Sequence, residues 1–255
     1  MAEALAGKRA LLTGASGGLG LALAHALAAE GAHIVLNDIQ ARADEACASI
    51  AALGVEARYV CADLADPDAL SQLCAVAGEV DILVNNAVVR HFARIEDLAL
   101  ADWDAALAVN VSAAFHTARL LLPGMRTRGY GRIFNMSSVY AQRASVGRVG
   151  YCVSKAAIEA LTRSIALELA GTGVTAHALC PGSTLTPGTD ARVRDLQRDG
   201  RTRAEAEAAF LHGKQPSGRF VAPESVAAVM LMLCGPAGLD MSGAVLAVDG
   251  GWSAS

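Results

Sequence analysis

Residues 9–20 read RALLTGASGGLG, and this stretch decides the fold. Arg9–Thr13 is a short apolar run suited to a buried strand, and from Leu19 an alanine- and leucine-rich stretch suits a helix. Gly14, Gly18 and Gly20 lie between them. A strand that turns through glycines into a helix lets the backbone approach a pyrophosphate closely and aims the helix's free N–H groups at its charge, with Ser16 and Leu19 in the same turn. Glycines alone are weak support for that reading. Eighteen residues beyond Gly20, however, the next apolar run ends in Asp38, where a carboxylate can accept from both hydroxyls of a ribose. The same carboxylate repels a 2′-phosphate, and neither Gly17 nor Ile39 offers a basic side chain to bind one, so NAD is expected rather than NADP. A mere turn-starting acid would also stand here.

Working outward, short β-branched or apolar runs alternate with helical stretches along the whole chain, the pattern of repeated βαβ units on a parallel sheet. Strands are expected near Arg9–Thr13, His33–Asn37, Glu56–Cys61, Asp81–Val84, Gly131–Met136, Thr175–Cys180 and Ala244–Val248. Helices are expected near Leu19–Glu30, Ala41–Leu53, Pro67–Ala77, Ala101–Leu121, Tyr151–Ala170 and Pro223–Leu233. The run Thr184–Gly218 breaks the alternation. It is charged and punctuated by Gly and Pro, with one helical patch at Arg203–Leu211, and reads as an insertion that could close over a substrate. No repeat or linker marks a domain boundary, so 1–255 reads as one α/β domain.

The 255 residues, 53% hydrophobic, suffice for one large core. A net charge of −4, with no dense basic stretch, argues against a nucleic-acid surface. Cys47, Cys61, Cys74, Cys152, Cys180 and Cys234 include no CxxC pair, which suits a reducing cytoplasm and suggests no metal site. Cys152 adjoins Tyr151 but points to another part of a helix surface, so it is not expected to be a nucleophile. No apolar leader precedes the first strand and no uninterrupted apolar run approaches ~18 residues, so neither export nor a membrane span is expected.

Reaction chemistry enters in the segment 137–155, SSVYAQRASVGRVGYCVSK. Tyr151 and Lys155 are four residues apart and share one helix face. A free phenol titrates near pH ~10, and a fixed cation beside it favours the phenolate and so a base that works near neutrality. Ser138, at the end of a strand, would offer a hydroxyl to the same reacting oxygen. An isolated YxxxK is more often a half-buried aromatic and a solvated charge. Here it stands with Asp63-Leu64 after the third strand, where an adenine would lie, and Asn85-Asn86-Ala87 after the fourth, both at the carboxyl edge of the sheet.

With TGASGGLG, NNA, Asn110, Ser138, Tyr151-x-x-x-Lys155 and Pro181-Gly182 all in order, the chain resembles the short-chain dehydrogenase/reductase family over essentially its whole length. The resemblance implies a doubly wound, Rossmann-type, seven-stranded parallel sheet and usually a homotetramer. It implies that Tyr151 transfers the proton, that Lys155 assists it and holds the nicotinamide ribose, and that Ser138 orients the substrate oxygen. Asn110 is implied to support a water relay to the lysine, and Pro181, Gly182 and Thr184 to complete the cofactor site. One departure is visible: the family's NNAG reads NNAV, with Val88 beside the nicotinamide position.

IEDLALADWDA, KQPSGRFVAPE and VDGGW look like the bacterial D-3-hydroxybutyrate dehydrogenase subgroup. By that likeness Arg90, Tyr140, Arg148 and Arg192 hold the substrate carboxylate, where the subgroup usually has glutamine, histidine, lysine and glutamine, and His91 matches. A guanidinium grips a carboxylate, sulfonate or phosphate through two parallel hydrogen bonds, so the site reads as more cationic than its relatives'. The substrate is expected to be a small hydroxy acid of the 3-hydroxybutyrate type, or a larger dicarboxylate or sulfonate-tailed alcohol. If the arginines face solvent, a sugar, polyol or steroid alcohol fits instead; a non-catalytic NAD-binding redox sensor is the alternative outside enzymes. His177 and Lys214 are expected to be structural or surface groups, and Trp252 a core or interface anchor rather than a pocket wall.

Overall fold

The computed structural model describes residues 4–255. Seven strands, β1 (Arg9–Thr13), β2 (His33–Asp38), β3 (Ala57–Cys61), β4 (Ile82–Asn85), β5 (Gly131–Met136), β6 (Val174–Pro181) and β7 (Val245–Val248), form one sheet in the order β3-β2-β1-β4-β5-β6-β7. Every pairing is parallel, with Leu11 aligned to Val35 on one side and to Leu83 on the other. Because helices cover both faces, the central strands are buried on both sides rather than alternately, and every residue of β5 is buried.

On one face α1 (Gly18–Ala29) packs against α9 (Pro223–Cys234) over a core of Leu12, Leu23, Leu27, Leu36, Met230 and Leu233. On the other, α3 (Pro67–Ala77), α5 (Ala113–Arg128) and α6 (Val149–Glu168) cover Leu11, Leu73, Leu83, Met125, Ile133 and Ile165. The short α2 (Asp44–Ala51) and α10 (Ala237–Asp240) complete the layers. Strand order reverses direction between β1 and β4, and there the connections diverge to opposite faces and leave a crevice at the carboxyl ends.

Two expectations are refined. The helix expected over Ala101–Leu121 is α4 (Leu100–Leu107), a π-helical turn (Ala108–Ser112) and α5 in one continuous run. Residues 100–128 are long and apolar enough by composition to cross a membrane, yet here the run packs on α3 and β5 and buries Ala114, Thr117, Leu121 and Met125. The insertion holds two helices, not one: α7 (Pro187–Gln197) precedes α8 (Arg203–Leu211). Its charged sequence hides an apolar period, but Pro187 opens the helix and Thr186 and Thr189 bond reciprocally across its first turn. The two ends of the insertion are joined by a parallel bridge between Thr184 and Val221 and by buried Gln215, which bonds Ser183 and Arg219.

Candidate active site

A cleft of about 1000 Å3 runs along the carboxyl edge of the sheet and under α7 and α8. One end is made by the glycine turn. Gly14 (φ +59°) and Gly18 (φ +57°) adopt the left-handed backbone region, and a Cβ on Gly14 would lie 2.6 Å from Ala87 Cα. A Cβ on Gly20 would meet Asn86 Nδ2 at 2.6 Å. This crowding is what couples the turn to β4: Asn86 donates from Nδ2 to Gly14 O (2.7 Å) and Thr13 O (3.1 Å), while Thr13 Oγ1 accepts from the Asn86 and Ala87 amides. The first turn of α1 has no side-chain cap and no acid, so its N–H groups remain free for an anion in the cleft.

Asp38 closes this end. Its Oδ2 accepts from Ser16 Oγ at 2.6 Å and from the Ser16 amide at 3.3 Å, while Oδ1 accepts from the Ile39 amide. Asp63 and Leu64, after β3, line the same wall, as do Pro181, Gly182 and Thr184 after β6. The turn, carboxylate and free helix end fit a nicotinamide dinucleotide: close main-chain approach for a pyrophosphate, an acceptor for a ribose, and an apolar-polar wall for an adenine.

Towards the other end, Ser138 at the end of β5 and Tyr151 and Lys155 on α6 line the cleft together, each less than 10% exposed. Lys155 donates from Nζ to Met136 O at 2.6 Å and lies 5.8 Å from the Tyr151 ring centre. Burial, reinforced by the Arg90 guanidinium, lowers its ammonium to about 7. Asn110 lies beneath this cleft. The π turn presents its side chain inward, where Oδ1 accepts from the Val89 amide and Nδ2 donates to Val89 O and Ser154 Oγ. It borders a cavity of about 10 Å3 with Lys155, about the room one water needs.

The model for the short chain dehydrogenase family matches residues 8–197. The chain belongs to the short-chain dehydrogenase family. It is 42% identical to the D-beta-hydroxybutyrate dehydrogenase of Cupriavidus necator (98% of this chain, 99% of the relative) and 36% identical to that of Rhizobium meliloti (97% and 99%). Among solved structures it resembles the L-sorbose reductase of Gluconobacter frateurii complexed with NADPH and L-sorbose, with a TM-score of 0.93 and 32% identity over the full length of both chains. This short-chain dehydrogenase is therefore an alcohol dehydrogenase/reductase, as the sequence motifs imply.

The end of the cleft beyond Tyr151 is cationic. Arg90 places its guanidinium 5.3 Å from the Tyr151 ring centre, and Arg148 lies 4.9 Å from the Tyr140 ring and 4.7 Å from that of Phe92, against which Arg192 also packs at 5.4 Å. A bridge between Ala93 and Arg148 fixes the loop carrying Arg90 beside the start of α6. Tyr140, Arg90, Arg148 and Arg192 all line the cleft, as does Val88.

His91 does not line it. In an extended loop successive side chains point to opposite sides, so with Arg90 facing the cleft, His91 turns towards α4, where Nδ1 meets Asp102 at 3.3 Å. Two residues expected to be elsewhere do face the cleft. Lys214, beyond α8, is held by a bond to Phe210 O and by the Phe210 ring; burial, then Arg148 and Arg192, lower its ammonium. Trp252 packs edge-on to Tyr140 at 5.2 Å and forms a wall. Neither has a motif or period that would have given it away; KQPSGRF and VDGGW were the available signals. His177, in β6, is structural: it stacks on Phe134 of the neighbouring β5, bonds Thr175 and is lowered by burial to about 4.

Proposed function

We propose that this enzyme uses NAD to oxidise the secondary alcohol of a small anionic hydroxy acid of the 3-hydroxybutyrate type. The observation that carries the reading is that Ser138, Tyr151 and Lys155 share their cleft with Arg90, Arg148 and Arg192, none of which pairs with a carboxylate among the described residues. The hydroxybutyrate dehydrogenases to which the chain is similar point the same way.

In this reading Gly14, Ser16, Gly18, Leu19 and Gly20 receive the pyrophosphate, Asp38 the adenosine ribose and Asp63-Leu64 the adenine. Asn86, Ala87, Pro181, Gly182 and Thr184 border the nicotinamide half, whose ribose Lys155 holds. The bound nicotinamide supplies a hydride acceptor. Tyr151 takes the hydroxyl proton at its phenol oxygen while Ser138 donates a hydrogen bond to the substrate oxygen, and Lys155 holds positive charge beside the phenol. Asn110 holds the base of a route by which one water passes the proton on from Lys155. Arg148 and Arg192 grip the acid, with α7 and α8 acting as a lid that excludes water. The carboxylate of Asp38 favours NAD because it repels a 2′-phosphate.

NADH formation from D-3-hydroxybutyrate, from longer hydroxy acids and from neutral alcohols such as 2-butanol tests the reading. Turnover of the anionic alcohols is expected. Good turnover of a neutral alcohol with none of any anion overturns it.

A further inference from the structure

Besides Lys155, four cations face the cleft, and they divide into two groups. Arg90 stands at the reacting end, over the Tyr151 ring and close enough to Lys155 to lower its ammonium. Arg148, Arg192 and Lys214 form a second group beyond Tyr140: Arg148 and Arg192 share the Phe92 ring, and both act electrostatically on Lys214. None of the four is in an ion pair among the described residues, although the neighbouring Arg194 and Arg203 both pair with Asp190. The same lid that neutralises its outer arginines therefore leaves its inner cations uncompensated. One carboxylate would leave most of this charge unmatched, and like charges held together without a counter-ion repel.

We infer that the substrate carries two anionic groups, one reaching Arg90 near the carbinol carbon and the other seated among Arg148, Arg192 and Lys214, as in a hydroxy dicarboxylate. This rests on the anionic-substrate reading above and narrows it. Three cations approach the distal group from different elements: Arg148 from the start of α6, Arg192 from α7 and Lys214 from beyond α8. Lys214 is a specificity residue of this site. A substrate with a single carboxylate can occupy one of the two groups, but only a dianion can engage both and draw the lid's two cations onto the body of the fold.

The test is binding to the enzyme–NADH complex, so that it does not depend on guessing the alcohol. Dicarboxylates (malonate, succinate, glutarate, adipate) and monocarboxylates of equal carbon number are titrated at constant ionic strength, with NADH fluorescence as readout and the matching neutral alcohols as controls. At least one dicarboxylate is expected to bind tenfold or more tightly than its monocarboxylate match. That advantage should shrink at least fivefold in Lys214→Met and, independently, in Arg192→Met, whose side chain is exposed and whose loss leaves the core untouched. If no dicarboxylate exceeds its match, or if both variants keep the full advantage, the two-anion inference fails while the anionic-substrate reading stands. Neutral alcohols binding as tightly as either acid series would overturn both.

Discussion

In the cofactor half of the cleft the walls are main chain and carboxylate: a glycine turn stitched to β4 by Asn86, an uncapped helix end, and Asp38 held by Ser16. In the half proposed to take the substrate they are side chains from loops and helix ends: Arg90, Arg148, Arg192 and Lys214, brought from four separate segments. The first half holds its shape through the sheet, since each of its parts is the end of a strand or the start of a helix. The second depends on long side chains whose positions are set by aromatic rings, Tyr140, Phe92 and Phe210, rather than by a hydrogen-bonded frame. On the proposed function, chemistry common to many alcohols is built into the edge of the sheet, and the choice among alcohols into side chains carried on loops and on α7.

The largest blow to this contrast would come at the seam. Tyr151→Phe should lower kcat by roughly 10³-fold in steady-state assays while NADH binding, followed by fluorescence, is retained. Loss of cofactor binding instead would mean that the seam belongs to the cofactor half. Next, Arg148→Ala should reduce kcat/KM for an anionic alcohol by roughly 10²-fold and leave KM for NAD nearly unchanged. An equal loss for both ligands would show that the halves are not separate. Asp38→Ala acts only on the cofactor side: the preference for NAD over NADP, measured as a ratio of kcat/KM values, should relax by about tenfold, with substrate selectivity unmoved.

A separate effect concerns the scaffold beneath both halves. His177 titrates near 4 in the fold and near 6.5 when unfolded, so above pH ~6.5 it is neutral in both states. As the pH falls from there to about 4 the unfolded chain takes up a proton that the folded one refuses, and stability declines by up to ~3 kcal/mol. Urea midpoints at pH 7, 5.5 and 4.5 should show this decline, and His177→Gln should flatten it.

Legibility in the sequence follows the same division. RALLTGASGGLG placed β1, the turn and α1 because glycine spacing and apolar runs are direct prints of backbone geometry. Asp38, Asp63, Asn86 and Gly182 were readable because each ends or follows a strand, and strand ends in a parallel sheet converge on one edge. Arg90, Arg148 and Arg192 could be named only through likeness to relatives, and His91 was named wrongly for the cleft because one step along an extended loop reverses the side chain. Lys214 and Trp252 escaped altogether: their place depends on how the insertion folds back, and the insertion's first helix, α7, starts on threonine bonds and a proline rather than on an apolar period. Val88 lines the cleft where the family has glycine, and nothing in the structure explains the exchange.

The π turn at Ala108–Ser112 accommodates one more residue than an α-helical turn would, and it does so in the middle of a helix packed along its length. It works as a phase adjuster. Winding the same residues as a regular α-helix would rotate everything beyond the turn by about 100°. Thr117 would leave Asn85, Met125 would leave the core, and the amide of Asn110 would swing away from Val89. The placing of Asn110, Thr117 and Met125 thus rests on an irregularity one residue long.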